Sequence, residues 1–217
     1  MRGVLVVMRL LLLFALLLQD DDVAKLVNRL AGDDADDVKA AQAELVKKGK
    51  DAKTPVQKAL AVATRDLKER YEGVLLRIEG GADDTSAKLS EVPVTVEATW
   101  TLETAGEGAP AAAKGKKWGH IHAYFQADNQ TDSDKVLVIV SAKLITLKDQ
   151  TKLIVEGPKK EPFQWTLLAR KLKSPAYDNL VEPKWPAGTR AIIVFEVKIG
   201  DATAKIRTGV FELTEKK

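Results

Sequence analysis

Three textures of apolar and polar positions follow one another along the chain, and each predicts a different element. Residues 4–18 are an almost unbroken apolar run. From 23 to 79 the apolar residues recur at helical spacing. Val23, Leu26, Val27 and Leu30 form one stripe, and Val38, Ala41, Leu45 and Val46 a second. Val56, Leu60 and Ala63 form a third, and Leu67, Tyr71, Val74, Leu75 and Ile78 the longest. Four short amphipathic helices are therefore predicted. Thr54-Pro55-x-Gln57 predicts a helix start, with a hydroxyl cap, a proline at the first helical position and a capping-box partner. Asp66-x-x-Glu69 is a second candidate start. Gly32, Gly49 and Gly80 stand where helices would end in a left-handed residue. Asp33 to Asp37 place negative charge at a helix N-terminus. They read as caps, because they lack the spaced, glycine-containing loop that calcium favours.

After a polar stretch, Gly80–Ser90, the period becomes two. Val92, Val94, Val96, Ala98, Trp100 and Leu102 alternate with polar residues, which predicts a strand with one wet face. Pro93 marks its start or an edge. Gly106–Lys117 reads as a mobile loop, Trp118–Ala127 as a strand and Asp128–Lys135 as a turn. Val136–Leu147 is apolar on both faces at first, as a central strand would be, and Lys148-Asp149-Gln150 turns into Thr151–Val155. Phe163, Trp165, Leu167 and Ala169 alternate, whereas Pro175–Pro186 reads as a long connection containing Tyr177 and Trp185. Arg190–Ile199 turns at Gly200-Asp201 into a last strand. Ala204, Ile206 and Val210 share one face of that strand and Phe211 and Leu213 the other, so Gly209 is a candidate bulge. About seven strands in this stretch argue for a β-sandwich.

The apolar run changes the picture of where the chain goes. Arg2 and Arg9, the nine apolar residues Leu10–Leu18, and then Gln19 with three aspartates match a bacterial-type signal peptide. The run is shorter than the roughly 20 residues that span a bilayer. No clean small-x-small site precedes Gln19, so a retained anchor and a buried helix stay open beside a cleaved signal. Composition removes several chemistries. The 217 residues contain no cysteine, which excludes thiol catalysis, thiolate metal sites, disulfides and a lipid-modified cysteine. A net charge of +3 from 34 basic and 31 acidic residues is a mixed surface. Its lysines form no run interleaved with aromatics, so nucleic acid is not an expected partner.

The helical stretch, LVNRLAGDDADDVKAAQAELVKKGKDAKTPVQKALAVATRDLKERYEGVLLRIE, resembles a HEAT-type helical repeat. The resemblance rests on Leu26, Leu30, the acidic turn, Val38-Lys39-x-Ala41, Leu45, Gly49, Leu60, Asp66-Leu67-Lys68 and Leu75. It implies a protein-binding scaffold without catalytic residues. The chain departs in number, with at most two repeat-like units where stacking usually needs about three or more. Asp128-Asn129-Gln130-Thr131 and Trp185-Pro186-Ala187-Gly188-Thr189, each leading into a strand, resemble bacterial immunoglobulin-like or fibronectin-type modules. That resemblance implies partner binding or spacing.

Candidate chemistry converges on Trp-Gly-His-Ile-His-Ala-Tyr. It holds both histidines of the chain, His120 and His122. A spacing of two puts them on one strand face beside Trp118 and Tyr124, while Ile121 and Phe125 point to the core. Three readings stand: a structural face, a patch in which Trp118 and Tyr124 bind a protein or glycan, and a metal site. His-x-His resembles the first motif of the cupins, and Pro186-Ala187-Gly188 resembles part of their second. Gln126 and Ala191 stand where that family places a glutamate and a third histidine. Two imidazoles alone make an incomplete shell, which a distant Asp or Glu would have to complete. There is no glycine-rich phosphate loop, no His-Glu-x-x-His and no Gly-x-Ser-x-Gly. A carboxylate pair is not excluded by spacing. Asn129-Gln130-Thr131 matches a glycosylation acceptor and also a turn.

The expectation is an exported α+β protein: residues 1–19 a signal peptide or anchor, 20–79 a HEAT-like helical module, 80–90 a linker and 91–217 an immunoglobulin-like sandwich. The expected function is non-catalytic protein interaction or scaffolding in the cell envelope, with a protein partner and no cofactor. The alternative is a metal-dependent or carbohydrate-binding β module using His120 and His122.

Overall fold

The computed structural model describes residues 22–81, 85–104, 115–157, 159–182 and 184–215. The expected signal segment and most of the Gly106–Lys117 loop lie outside the described residues. The chain divides into two compact units, one running to Ile78 and one beginning at Glu79. Together they make an α+β protein.

The first unit holds four helices: α1 over 22–30, α2 (Ala35–Lys48), α3 (Lys50–Val62) and α4 (Arg65–Gly80). Every stripe residue is either buried in one apolar cluster or packed against it. Asp34 caps α2, its Oδ1 accepting from the backbone amides of Asp36 (2.9 Å) and Asp37 (3.0 Å). Such a cap is worth about 1 kcal/mol. Asp37 is also bound by Arg29, whose Nη2 lies 2.7 Å from its Oδ1. Of the aspartate cluster, Asp34 is thus used as a cap and Asp37 in an ion pair. The end of α1 is closed from α4, where Arg70 Nη1 donates to the carbonyls of Leu30 (3.2 Å) and Gly32 (2.6 Å).

Two boundaries differ from expectation. The third helix starts at Lys50 rather than after Thr54, and Pro55 lies inside it. Starting earlier brings Ala52 into the core one turn before Val56, which offsets the bond that Pro55 cannot donate. Left-handed φ occurs at Gly49 and Gly81, not at Gly32 or Gly80. Gly80 is the last helical residue and Gly81 makes the turn.

The second unit is built from eleven strands among the described residues: β1 (Ser86–Leu89), β2 (Val92–Thr104), β3 (Lys117–Asn129), β4 (Lys135–Thr146), β5 (Gln150–Lys152), β6 (Gln164–Leu167), β7 (Lys171–Lys173), β8 (Ala176–Val181), β9 (Arg190–Ile199), β10 (Ala202–Arg207) and β11 (Phe211–Glu215). One half of the sheet centres on β2 and β3, the other on β4 and β9. β11 joins them, antiparallel to β9 through Phe211 and Glu212 and parallel to β2 through Leu213–Glu215. The halves bury one core between them in a sandwich-like arrangement. Phe125 of β3 meets Phe195 of β9 edge to face at 5.0 Å, and Tyr177 of β8 meets Phe195 at 5.4 Å.

Three strands arise where none was expected. β1 occupies part of the stretch read as a linker and pairs with β2 through a two-residue turn, Ser90-Glu91. Both turn residues take positive φ without glycine, so the usual hairpin signal is missing. β8 runs through the stretch read as a connection. Tyr177, Asn179 and Val181 face inward there. The short β7 pairs with the end of β3. The last strand is two, since Thr208–Val210 oppose only Ile192 and Ile193, a bulge around Gly209. Val136 and Val140 of β4 are exposed, so the early part of that strand is covered on one face only.

Asn129, Tyr177 and Asn179 are paired inside this core, whereas the Trp100 indole nitrogen is buried without a hydrogen-bond partner on the protein. The fully buried Asn129 donates to the carbonyls of Ser133 (3.0 Å) and Leu167 (2.9 Å). Its Oδ1 accepts from the amide (3.2 Å) and hydroxyl (2.7 Å) of Thr131. All its bonding capacity is used, within the turn and against Leu167 of β6, which removes the glycosylation reading. Tyr177 Oη donates to the carbonyl of Ile154 and accepts from Asn179 Nδ2 (2.9 Å). Burial holds its phenol well above the usual range.

Candidate functional site

β3 lies between β2 and β8 over the stretch that carries both histidines, and the two registers fix which side chains share its outer face. His122 stands directly between Thr99 and Asp178. His120 stands between Thr101 and Leu180, and Trp118 is opposite Glu103. Because side chains alternate along a strand, Trp118, His120, His122 and Tyr124 all project from the face opposite to the buried Ile121, Ala123 and Phe125. The four residues expected as a surface are therefore brought together as one row. Tyr124 is 49% exposed and the other three are half-buried. The Trp118 indole nitrogen is buried without a hydrogen-bond partner on the protein, so Trp118 offers the surface its ring rather than its donor.

The row is stacked edge to face. The His122 and Tyr124 rings are 4.1 Å apart, and the His120 and His122 rings 6.0 Å apart. Beneath it, Gly119 leaves room for the buried Trp100. A Cβ there would lie 2.5 Å from Trp100 Nε1 and 3.0 Å from Val181 Cγ2. The glycine thus lets the sheet carry a tryptophan inside and a histidine row outside within three residues.

Two carboxylates complete the site, and neither was singled out in the sequence. Asp178 Oδ1 lies 3.1 Å from His120 Nε2 and also contacts His122 Nδ1. Glu103 Oε1 lies 2.6 Å from His120 Nδ1. Asp178 is opposite one histidine and diagonal to the other, which is within reach of both. Glu103 reaches His120 by the same diagonal from β2. One donor atom each from His120, His122 and Asp178 lie within 4.8 Å of one another, the one such group among the described residues. Glu103 could have been flagged as an outward position two residues beyond Thr101. Asp178 carried no signal, because its strand was itself unread.

The cupin pattern is not met. Ala191 is buried in β9 between Thr146 and Phe211, a core position in the other half of the sheet. Among the described residues no helix is long and apolar enough to cross a membrane.

No family model matches the chain, and no curated protein matches it. Solved structures give a partial likeness. An X-ray structure of a structural-genomics target, SoR45, is 10% identical with a TM-score of 0.35, the match covering 59% of this chain and 89% of that one. A structure described as a "putative lipoprotein (ycdA)" from Bacillus subtilis is 11% identical with a TM-score of 0.36, covering 58% of this chain and 38% of that one.

Proposed function

We propose that this is an exported, non-catalytic interaction protein of the cell envelope, and that the outer face of β2, β3 and β8 is its contact surface. One observation carries the proposal. A central strand, held on both sides, displays two aromatic rings and two imidazoles on the face that the core does not use. Aromatic side chains on a rigid support give contact area at little entropic cost, which suits partner binding. Export is supported by the basic, apolar and polar order of residues 2–22. The helical unit, read as HEAT-like, and the β unit, read as immunoglobulin-like, both belong to scaffold architectures, and that reading is part of the proposal.

The test is site-directed photo-crosslinking in cells making the full chain, with the photoreactive residue at position 124, beside fractionation. A crosslinked protein partner in the envelope fraction, lost when Trp118→Ala and His122→Ala are added, is the expected result. Crosslinks only from positions on α2 or α4 would move the surface to the helical unit. A chain confined to the cytoplasm would overturn the export reading.

A further inference from the structure

We infer that His120, His122 and Asp178 form a binding site for one divalent transition-metal ion, zinc above all, and that Glu103 positions His120 for it. The site deepens the contact surface proposed above and rests on that face being open to solvent.

His120 lies between two carboxylates, its Nδ1 2.6 Å from Glu103 Oε1 and its Nε2 3.1 Å from Asp178 Oδ1. His122 Nδ1 contacts that same Asp178 oxygen, so one donor atom each from His120, His122 and Asp178 falls within 4.8 Å of the others. A divalent cation held there would be shared by both imidazoles and Asp178, and would offset the charge of the two carboxylates.

The geometry suits the cation. Donor atoms of a tetrahedral zinc shell lie roughly 3.3 Å apart, and the His120–Asp178 separation is 3.1 Å. His122 Nδ1 reaches the same Asp178 oxygen directly across the β3–β8 ladder. Two imidazoles and one carboxylate make a borderline donor set that favours zinc and its first-row neighbours over magnesium or calcium, which take oxygen shells. Glu103, 18% exposed, supplies the carboxylate–histidine pairing that commonly orients metal-bound imidazoles. The ladder on both sides of β3 fixes the histidine spacing before any ion arrives. Three protein ligands leave a coordination position directed at solvent, where a carboxylate or imidazole of a docking partner would bind.

The experiment is a calorimetric titration of zinc chloride into tag-free, chelator-stripped full-length protein, in competition with a chelator of known affinity. One saturable equivalent is expected, with no binding of magnesium. His122→Ala and Asp178→Asn each weaken zinc by on the order of 100-fold, and Glu103→Gln by about 10–100-fold. Near-identical circular dichroism spectra show that each variant is folded. Trp118→Ala leaves zinc binding unchanged while reducing the partner crosslink, so a failure of the metal site and a failure of the contact surface read out separately. No saturable binding, or unchanged binding in the double variant His122→Ala/Asp178→Asn, overturns the inference.

Discussion

The two faces of β3 are built from interleaved residues yet obey different rules. The inner face, Ile121, Ala123, Phe125 and Ala127, is fully buried, and its rings lock the two halves of the sheet together. The outer face, Trp118, His120, His122 and Tyr124, contacts carboxylates and solvent and closes no core. A period of two lets one strand serve stability with odd positions and recognition with even ones. Substitutions on the two faces should then separate stability from binding.

The largest effect is expected inside. Phe125→Ala should cost about 3–5 kcal/mol of unfolding free energy by lost transfer and a cavity against Phe195 and Trp165, read by denaturant unfolding. Gly119→Ala sharpens the comparison, because it adds one methyl to the inner face between two outer residues. Its clash with Trp100 should cost about 1–3 kcal/mol and change Trp fluorescence. A tolerated alanine would mean that Trp100 has room to move.

Tyr177→Phe should cost about 1–2 kcal/mol through the lost bonds to Ile154 and Asn179. It also carries a pH signature. The folded phenol is raised by burial, so the neutral form favours the folded state. Stability is undiminished below about pH 10, where unfolded tyrosine is neutral, and falls as the pH rises beyond that. Unfolding at increasing alkalinity should show this fall in the parent and much less of it in the variant. The smallest effect is outside. His122→Ala should change metal-free stability by no more than about 0.5 kcal/mol. A cost comparable to that of Gly119→Ala would show that the outer row supports the fold, and the division between faces would be broken.

How much was legible follows the same division between local and distant information. The helical stripes are set by neighbours three or four positions away and the cap within the aspartate cluster by neighbours two or three away, so the local pattern showed both. The inner and outer faces of β3 were legible for the same reason. β8 was hidden because Asp178-Asn179 has turn composition. Asn179 tolerates burial only through its bonds to Ile154 and Tyr177, which no local pattern announces. β1 was hidden by a turn that takes left-handed φ of 46° and 68° at Ser90 and Glu91, without glycine or asparagine. In the site the imidazoles were legible and the carboxylates were not. Asp178 joins His122 across 56 positions, by a pairing that exists only once β8 has formed.

The pairing of β11 with β2 bears on how the molecule is made. Thr214 Oγ1 bonds the carbonyl of Trp100 at 3.4 Å, 114 positions earlier in the chain. During synthesis the strand carrying Trp100 emerges long before its parallel neighbour, and contacts of such span form slowly. Until residues 211–215 arrive, an open strand edge lies next to a large aromatic core residue, a combination prone to self-association. A nascent chain of this kind is a natural client for chaperones, and shortening it by those few residues should leave a molecule that collects in inclusion bodies.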